Sequence, residues 1–405
     1  MIETALYTIL FLSLILIGWT FIGFPAFLIF FSSFLKKHHF LNQAFFPKVT
    51  LMIMTYNEEK AIAKKLQNSL DIDYPHDKLE IFVVDSASTD KTQEITRKVI
   101  KEFYKNNPKD KRIVKLIAQE KREGKASGIN YGKEKASGEI IMITDGNAMM
   151  SKNVIKNIVR HFDDPKVGGV CGRFEARDLH DTSTGEGGSI YWKIERMLRT
   201  GESNLDSCIH MSGEITAFRA NIVNKLDTTQ LSEDFDMAVS IRRKGFRIIY
   251  EPYAIAYEPA PTNVDDLKTQ KKRIVIGTLQ VLFKHKDMLF NPKYGWYGVM
   301  ILTTHKLFQL LTPFALAVVL GSSAALFFLD YNLWIHGLII AEITCVVLTL
   351  LSLILTLFNL FKHNKLLNFV KYFMASNWIV VLGWIDFLCG KKIVTWKKIE
   401  SSRDI

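Results

Sequence analysis

Cysteine is scarce. The four in 405 residues, Cys171, Cys208, Cys345 and Cys389, lack metal-ligand spacing, which argues against a zinc module or a disulfide-framed secreted domain. Helix-turn-helix, zinc-finger and aromatic-strand RNA signatures are missing as well. The excess of 52 Lys and Arg over 41 Asp and Glu, a formal charge of +11, is therefore not read as a nucleic-acid footprint. It suits anionic lipid, a phosphorylated substrate, or the positive loops on the cytoplasmic side of a membrane. There is no internal repeat and no low-complexity tract. Charge itself is absent from Leu6 to Phe34, a run longer than the roughly 20 apolar residues that cross a bilayer.

That run predicts a transmembrane helix. A cleaved leader would need a basic start and a shorter apolar core, whereas the chain opens Met1-Ile2-Glu3. Lys36 and Lys37 follow, placing what comes next in the cytoplasm and the N-terminus outside. Three more apolar runs, Leu302 to Leu329, Leu333 to Phe361 and Phe369 to Cys389, are joined at Asp330-Tyr331-Asn332 and Lys362-His363-Asn364-Lys365. If all three span, the tail bearing Lys391, Lys392, Lys397 and Lys398 ends outside, against the charge rule. The last run carries Lys371, Asn377 and Asp386, so an interfacial or re-entrant course stays open. The expected division is a transmembrane helix over 1–35, a cytoplasmic catalytic domain over 36–285, interface and transmembrane helices over 286–390 and a basic tail over 391–405.

Between Pro47 and Pro259 short apolar runs alternate with helical patterns, which predicts an α/β fold with a largely parallel sheet. Strands are expected over Val49 to Met54, Ile81 to Val84, Ile113 to Ile117 and Ile140 to Thr144, and helices over Lys60 to Leu70 and Thr92 to Tyr104. Arg177 to Gly188, rich in Asp, Thr, Ser and Gly, is expected to be a mobile loop. Ligands of such sheets bind beyond the carboxyl ends of the strands. Tyr56-Asn57-Glu58, Asp85 and Asp145 all lie at such ends.

Asp145-Gly146-Asn147 admits two readings: an Asp-Gly hairpin turn, or oxygen ligands for Mg2+ or Mn2+ whose shell is completed by phosphates and water. Asp85 precedes Ser86, Ser88 and Asp90. Ser88 and Asp90 read as helix caps, while the Asp85 carboxylate and the Thr55 to Glu58 backbone can face a base or ribose. Arg122-Glu123-Gly124-Lys125 is either a solvated basic loop or a phosphate contact through Lys125. Ser232-Glu233-Asp234 is either a cap with acidic first-turn residues or the general base that deprotonates a sugar hydroxyl. Gln270-Lys271-Lys272-Arg273 is either an anchor for anionic lipid or, through Arg273, a grip on a diphosphate.

Taken in order and spacing, Tyr56-Asn57-Glu58, Asp85, Gly124-Lys125, Asp145-Gly146-Asn147, Glu233-Asp234 and Gln270-x-x-Arg273 resemble the large inverting family-two glycosyltransferases over about residues 47 to 280. One N-terminal helix, a catalytic domain and C-terminal helices are similar to the membrane synthases of cellulose, hyaluronan, chitin and poly-N-acetylglucosamine. The resemblance implies an A-type glycosyltransferase fold with a Rossmann-like nucleotide-binding sheet. It implies a nucleotide diphosphate-sugar donor, UDP-linked by preference, held by Thr55, Tyr56, Asn57, Glu58, Asp85, Ser86, Lys125, Asp145, Gln270 and Arg273. It further implies Mn2+ or Mg2+ at Asp145 and Asn147, acceptor contacts at Ser212, Gly213 and Glu214, and catalysis by Asp234 with Glu233. Two departures stand out: Asn147 replaces an Asp, so metal binding leans on Asp145, and Ile274 replaces the Trp that follows the family's Arg. The expected product is a cell-surface polysaccharide made at the plasma membrane, with export subunits as candidate partners and Trp296, His305, Gln309 and Trp378 as candidate channel residues. Single transfer to a membrane lipid is the alternative, and a non-catalytic scaffold a third reading.

Overall fold

The computed structural model describes residues 1–35, 41–177, 183–259, 264–329, 333–357 and 365–390. Lys36, Lys37, the joints at 330–332 and 362–364, and the tail lysines Lys391, Lys392, Lys397 and Lys398 lie outside the described residues.

Strands β1 (Val49–Thr55) and β2 (Leu79–Asp85) are buried at every position, as continuous apolar runs are when helices cover both faces. With β3 (Ile113–Ala118) and β4 (Ile140–Asp145) they form a parallel half-sheet in the order β3-β2-β1-β4. At the edge, β3 alternates exposed and buried, as its single open side requires. Helices α3 (Ile62–Leu70), α4 (Thr92–Asn106) and α5 (Lys125–Lys135) return the chain between these strands. Register pairs Thr55 with Asp85 and Met54 with Asp145, so the polar ends of three strands share one rim.

The other half of the sheet is not largely parallel. Past β4 come β7 (Thr216–Arg219), β6 (Val167–Arg177), β8 (Arg247–Pro259) and β5 (Met149–Met150); β7 runs antiparallel to β4 and to β6, β6 pairs in parallel with β8, and β5 pairs antiparallel with β8. The reversal follows from where β7 begins: the loop feeding it lies at the carboxyl end of β4, so β7 enters from that rim and runs back. Helices α6 (Val154–Val159) and α8 (Glu233–Arg243) pack against this half.

The expected loop at Arg177 to Gly188 is corrected in part. Helix α7 (Ser183–Leu205) starts within it despite Gly185, Gly187 and Gly188, while residues 178–182 lie outside the described set. Its C-terminal half is packed through Leu198 and Leu205, and a packed helix extends into turns that propensity alone disfavours.

An apolar layer flanks this domain. Helices α1 (Ile2–Gly18) and α2 (Phe24–Phe34) are continuous through a π-helical turn at Trp19–Gly23. Gly201 of α7 lets the Leu28 side chain of α2 approach, since a Cβ there would lie 2.9 Å from that of Leu28. Two π segments, Tyr297–Ile301 and Thr303–Phe308, lead into α10 (Gln309–Leu329), which packs on α1 through Leu10, Val319 and Leu326. Among the described residues, Ile2–Ser32 and Tyr297–Leu329 are long and apolar enough to cross a membrane; Leu333–Thr344 and Tyr372–Leu388 are shorter apolar stretches of α11 (Leu333–Leu357) and α12 (Lys365–Leu388).

The polar residues of α12 have a protein explanation. Asp386 pairs with Lys272 at 2.5 Å, and Ser376 accepts from Lys271, which also lies 3.7 Å from the Tyr372 ring centroid. Helix α9 (Val264–Lys284) thus spends two lysines of its basic run on α12, not on lipid.

Candidate active site

At the β1 and β2 ends, neutral groups interlock. Asn57 takes a left-handed φ of 55°, which Asn tolerates, and its backbone N–H donates to Ser88 Oγ at 2.8 Å while its Oδ1 accepts from Thr89 N at 2.8 Å. Glu58 N donates to Thr92 Oγ1 at 2.7 Å, and Ser86 N to Thr55 O at 2.9 Å. Asp85 is wholly buried, its Oδ1 accepting from Thr55 Oγ1 and Ser88 Oγ and its Oδ2 from Ser88 N and Gln93 Nε2. Direct contact with a nucleotide therefore requires the Gln93 amide to swing off Oδ2; as it stands, Asp85 fixes the loop through Ser88. Ala87 within that loop sits at φ 57°, a conformation costly for a residue with a Cβ. Tyr56 is capped by the Arg122 guanidinium, 3.8 Å from the ring centroid, so Arg122 is not merely solvated. Asp90 accepts from Thr92 N at the start of α4, but the N-cap is Lys91 and has no side-chain cap bond, so neither Ser88 nor Asp90 is the helix cap expected.

Asp145-Gly146 does not close a hairpin, because the strand after it, β5, pairs with β8. The turn presses on β1: a Cβ on Gly146 would lie 3.1 Å from Met54 O. Beneath it stands Lys65, fully buried on α3, whose Nζ donates to Thr144 Oγ1 at 2.9 Å and to the Ala148 carbonyl. Burial lowers the Lys65 amine to about 7, against the pull of Asp145 and Glu258. Sequence reasoning passed over Lys65; its only signal is a lysine on the apolar face of an amphipathic helix.

Opposite the turn, Gly124 adopts φ 89°, open to glycine, and directs α5 so that Lys125 points inward. Lys125 Nζ lies 2.5 Å from Asp145 Oδ1, 3.9 Å from Glu233 Oε1 and 3.2 Å from Gly213 O. Burial opposes its charge, but Asp145 and Glu233 outweigh burial and hold it above the ordinary lysine range. Burial, then the neighbouring Asp145 charge, pushes Glu214 up to about 6. Burial pushes Glu233 up to about 7 and also raises Asp234, with Lys125 opposing in both cases. Arg273 of α9 faces the same acids: burial lowers it, while Glu233, Asp234, Asp145 and Glu214 hold its charge. Gln270 lies half-buried one turn earlier.

Ser232 makes no side-chain capping bond to α8; its hydroxyl is pressed against Gly277 of α9, where a Cβ would lie 2.3 Å away. Glu233 and Asp234 are thus not explained by a capping box. Arg219, beyond the acceptor segment in sequence, is at the opposite rim, donating to the carbonyls of Val167, Phe162 and Asp164. His305 lines no channel: it is 1% exposed, with Glu195 and Glu202 on its two ring nitrogens.

Four carboxyl groups, Asp145, Glu214, Glu233 and Asp234, gather against Lys125 and Arg273, with Lys306 reaching Asp234. An excess of acids, three of them raised, fits an added divalent cation. The described residues contain no group of three or more His, Cys, Asp or Glu side chains that could hold a metal by themselves. The fit is therefore to a cation carried on Asp145, with the buried Asn147 amide two residues on, and completed by substrate phosphates.

The family model for glycosyltransferase like family 2 matches residues 47–277. A probable glycosyltransferase, YdaM of Bacillus subtilis (strain 168), is 26% identical over 391 residues, 89% of this chain and 88% of that protein. The poly-beta-1,6-N-acetyl-D-glucosamine synthase of Staphylococcus aureus (strain COL) is 27% identical over 296 residues, covering 71% and 68% respectively. Among solved structures, the mannosyltransferase PcManGT from Pyrobaculum calidifontis, in complex with GDP-Man and Mn2+, superposes with a TM-score of 0.70 at 24% identity over 95% of this chain and 99% of its own, a likeness of fold.

Proposed function

We propose, on the premise that this chain belongs to glycosyltransferase like family 2 and is a glycosyltransferase, that it transfers a hexose or N-acetylhexosamine with inversion from a UDP-sugar to a growing cell-surface polysaccharide. The observation that carries this reading is the meeting of Glu233 and Asp234 with the Asp145–Lys125 pair and Arg273 in one half-buried cluster. Thr55 to Glu58 and Ser86 form the wall for the nucleoside. Lys125 and Arg273 balance the diphosphate. Asp234, raised above the usual carboxylate range by burial, is the base. The acceptor oxygen gives its proton to the Asp234 carboxylate as it bonds to the anomeric carbon, the carbon–phosphate oxygen bond breaks on the opposite face, and the electron pair leaves with UDP. A divalent cation on Asp145 would add charge to stabilise that leaving group. Glu233 neighbours Asp234 and biases its proton affinity; Ser212, Gly213 and Glu214 border the acceptor side.

Ile2–Ser32 and Tyr297–Leu329 support placement in the plasma membrane as a multi-pass protein, with the domain over 36–285 cytoplasmic and export subunits as candidate partners. A second reading, one sugar placed on an anionic membrane lipid, is favoured by Lys306, which leaves the apolar segment beside Asp234, and by Ile274 after Arg273. The test is incubation of the purified protein in lipid with Mn2+ and a panel of labelled nucleotide sugars, followed by sizing. A high-molecular-weight ladder from one donor is expected. A single organic-soluble product establishes the lipid reading, and no donor consumption sinks both.

A further inference from the structure

We infer that Arg199 is a positioning residue for the acceptor loop, and that the membrane-side helix sets it through His305; this deepens the reading of Ser212 to Glu214 as the acceptor side and rests on it. The loop between α7 and β7 is held from behind by charge. Arg199 donates through Nε to Glu195 at 2.8 Å, through Nη1 to Ser212 Oγ at 2.9 Å and through Nη2 to His210 Nε2 at 2.8 Å. One planar guanidinium thus ties helix α7 to two loop residues, a task its fixed fork of donors suits and an ammonium does not. Gly213, next to Ser212, gives its carbonyl to Lys125 on the catalytic side.

A second tie runs in parallel. Glu202 accepts from the Ile209 backbone N–H at 3.0 Å with one oxygen and from His305 Nδ1 with the other, while His305 Nε2 donates to Glu195 at 3.2 Å. Both carboxylates that fix the loop therefore meet on one imidazole. Glu195, Glu202, Arg199 and His305 thus form one linked set of four charged or polar side chains. All four are nearly sealed from solvent. His305 lies in the π segment Thr303–Phe308, where Thr303, Thr304 and His305 are buried in succession, and Thr304 accepts from Trp19 Nε1 of the N-terminal π turn. Tyr297 OH, one π segment earlier, donates to Ile209 O at 3.0 Å. The loop that borders the acceptor is thereby referenced to the membrane helices and not to the nucleotide wall.

The test compares the wild type with Arg199→Lys and His305→Gln in lipid, using UDP-N-acetylglucosamine as donor, a β-1,6-linked N-acetylglucosamine pentamer as acceptor and UDP as the donor-site probe. For both variants the acceptor KM is expected to rise roughly tenfold or more, the scale of a lost charged hydrogen bond, while the UDP Kd stays within about twofold. A UDP Kd that worsens in step with the acceptor KM, or an unchanged acceptor KM, overturns the inference. Should the charge variants fail to fold, Ser212→Ala removes only the hydroxyl that Arg199 engages; a raised acceptor KM supports the inference and an unchanged one overturns it. A wild type that transfers nothing to the pentamer refutes N-acetylglucosamine as the sugar, and the variants are then compared on the donor and matching oligomer that the labelled panel identifies; a wild type active with no donor of the panel refutes the functional reading instead.

Discussion

The two walls of the cleft are built from different chemistry. On the nucleotide side, Thr55, Ser88 and Gln93 bond to Asp85 and Asn57 bonds to Ser88, so most of the wall is in place before any ligand arrives. On the transfer side, Asp145, Glu214, Glu233 and Asp234 crowd Lys125 and Arg273, and burial keeps three of the acids above their ordinary range. The first wall is bonded within itself except at the buried Ser86 hydroxyl, which has no partner there. The second carries an excess of acid that a divalent cation would offset, the kind of preorganised charge from which transition-state stabilisation is drawn.

Breaking the charged wall has the largest expected effect. Asp234→Asn removes the base while keeping shape, and labelled-sugar transfer is expected to fall by about 10²–10⁴-fold with UDP affinity retained; full activity would place the base elsewhere. Lys65→Met strips the amine from beneath the Asp145 turn and strands Thr144 Oγ1 and Ala148 O. A loss of about 2 kcal/mol is expected in denaturant or thermal melts, with weaker Mn2+ activation. Two groups of the charged wall leave opposite marks on a pH–stability profile. Glu233, raised from 4.5 to about 7 in the fold, makes stability decline as pH rises through that window, because the folded state there holds the extra proton. Lys65, lowered from 10.5 to about 7, makes stability increase as pH rises between those values, because the unfolded chain binds the proton. Glu233→Gln should flatten the lower window and Lys65→Met the upper, read as melting temperature against pH without metal.

Backbone changes sharpen the contrast at smaller scale. Gly124→Ala forces a Cβ into φ 89° and should cost about 1–2 kcal/mol, moving Lys125 and so reducing transfer. Ala87→Gly relieves φ 57° on the nucleotide wall but loosens the unfolded chain, so a change within about 0.5 kcal/mol is expected. A large drop there would mean the nucleotide wall is less self-sufficient than its bonds indicate.

Much of the cleft's rim was legible in the residues. Val49 to Thr55, Leu79 to Asp85 and Ile140 to Asp145 are mainly apolar runs, interrupted inside at Thr50, Glu80 and Thr144, and each polar ending marks a strand's exit from the buried sheet within a residue or so. The pairing Glu233-Asp234 and the lone Arg273 were likewise visible, because their spacing is local. The antiparallel half was not, since the direction of β7 depends on where a loop lies in space. Nor was the start of α7, where packing of Leu198 and Leu205 overrides three glycines.

By itself, then, the sequence determined the elements, the apolar flanking helices and the inventory of acids and bases, all of which follow from short-range patterns of burial and turn chemistry. Tertiary structure alone decided which charge meets which. It spent Lys271 and Lys272 on α12 and left Arg273 to the cluster, enclosed Asp85, set Lys65 under the Asp145 turn and closed Glu195, Glu202, Arg199 and His305 on one another. A buried charge is stable only beside its partner, and partners more than a hundred residues apart, as His305 and Glu202 are, are brought together by packing and leave no local signature.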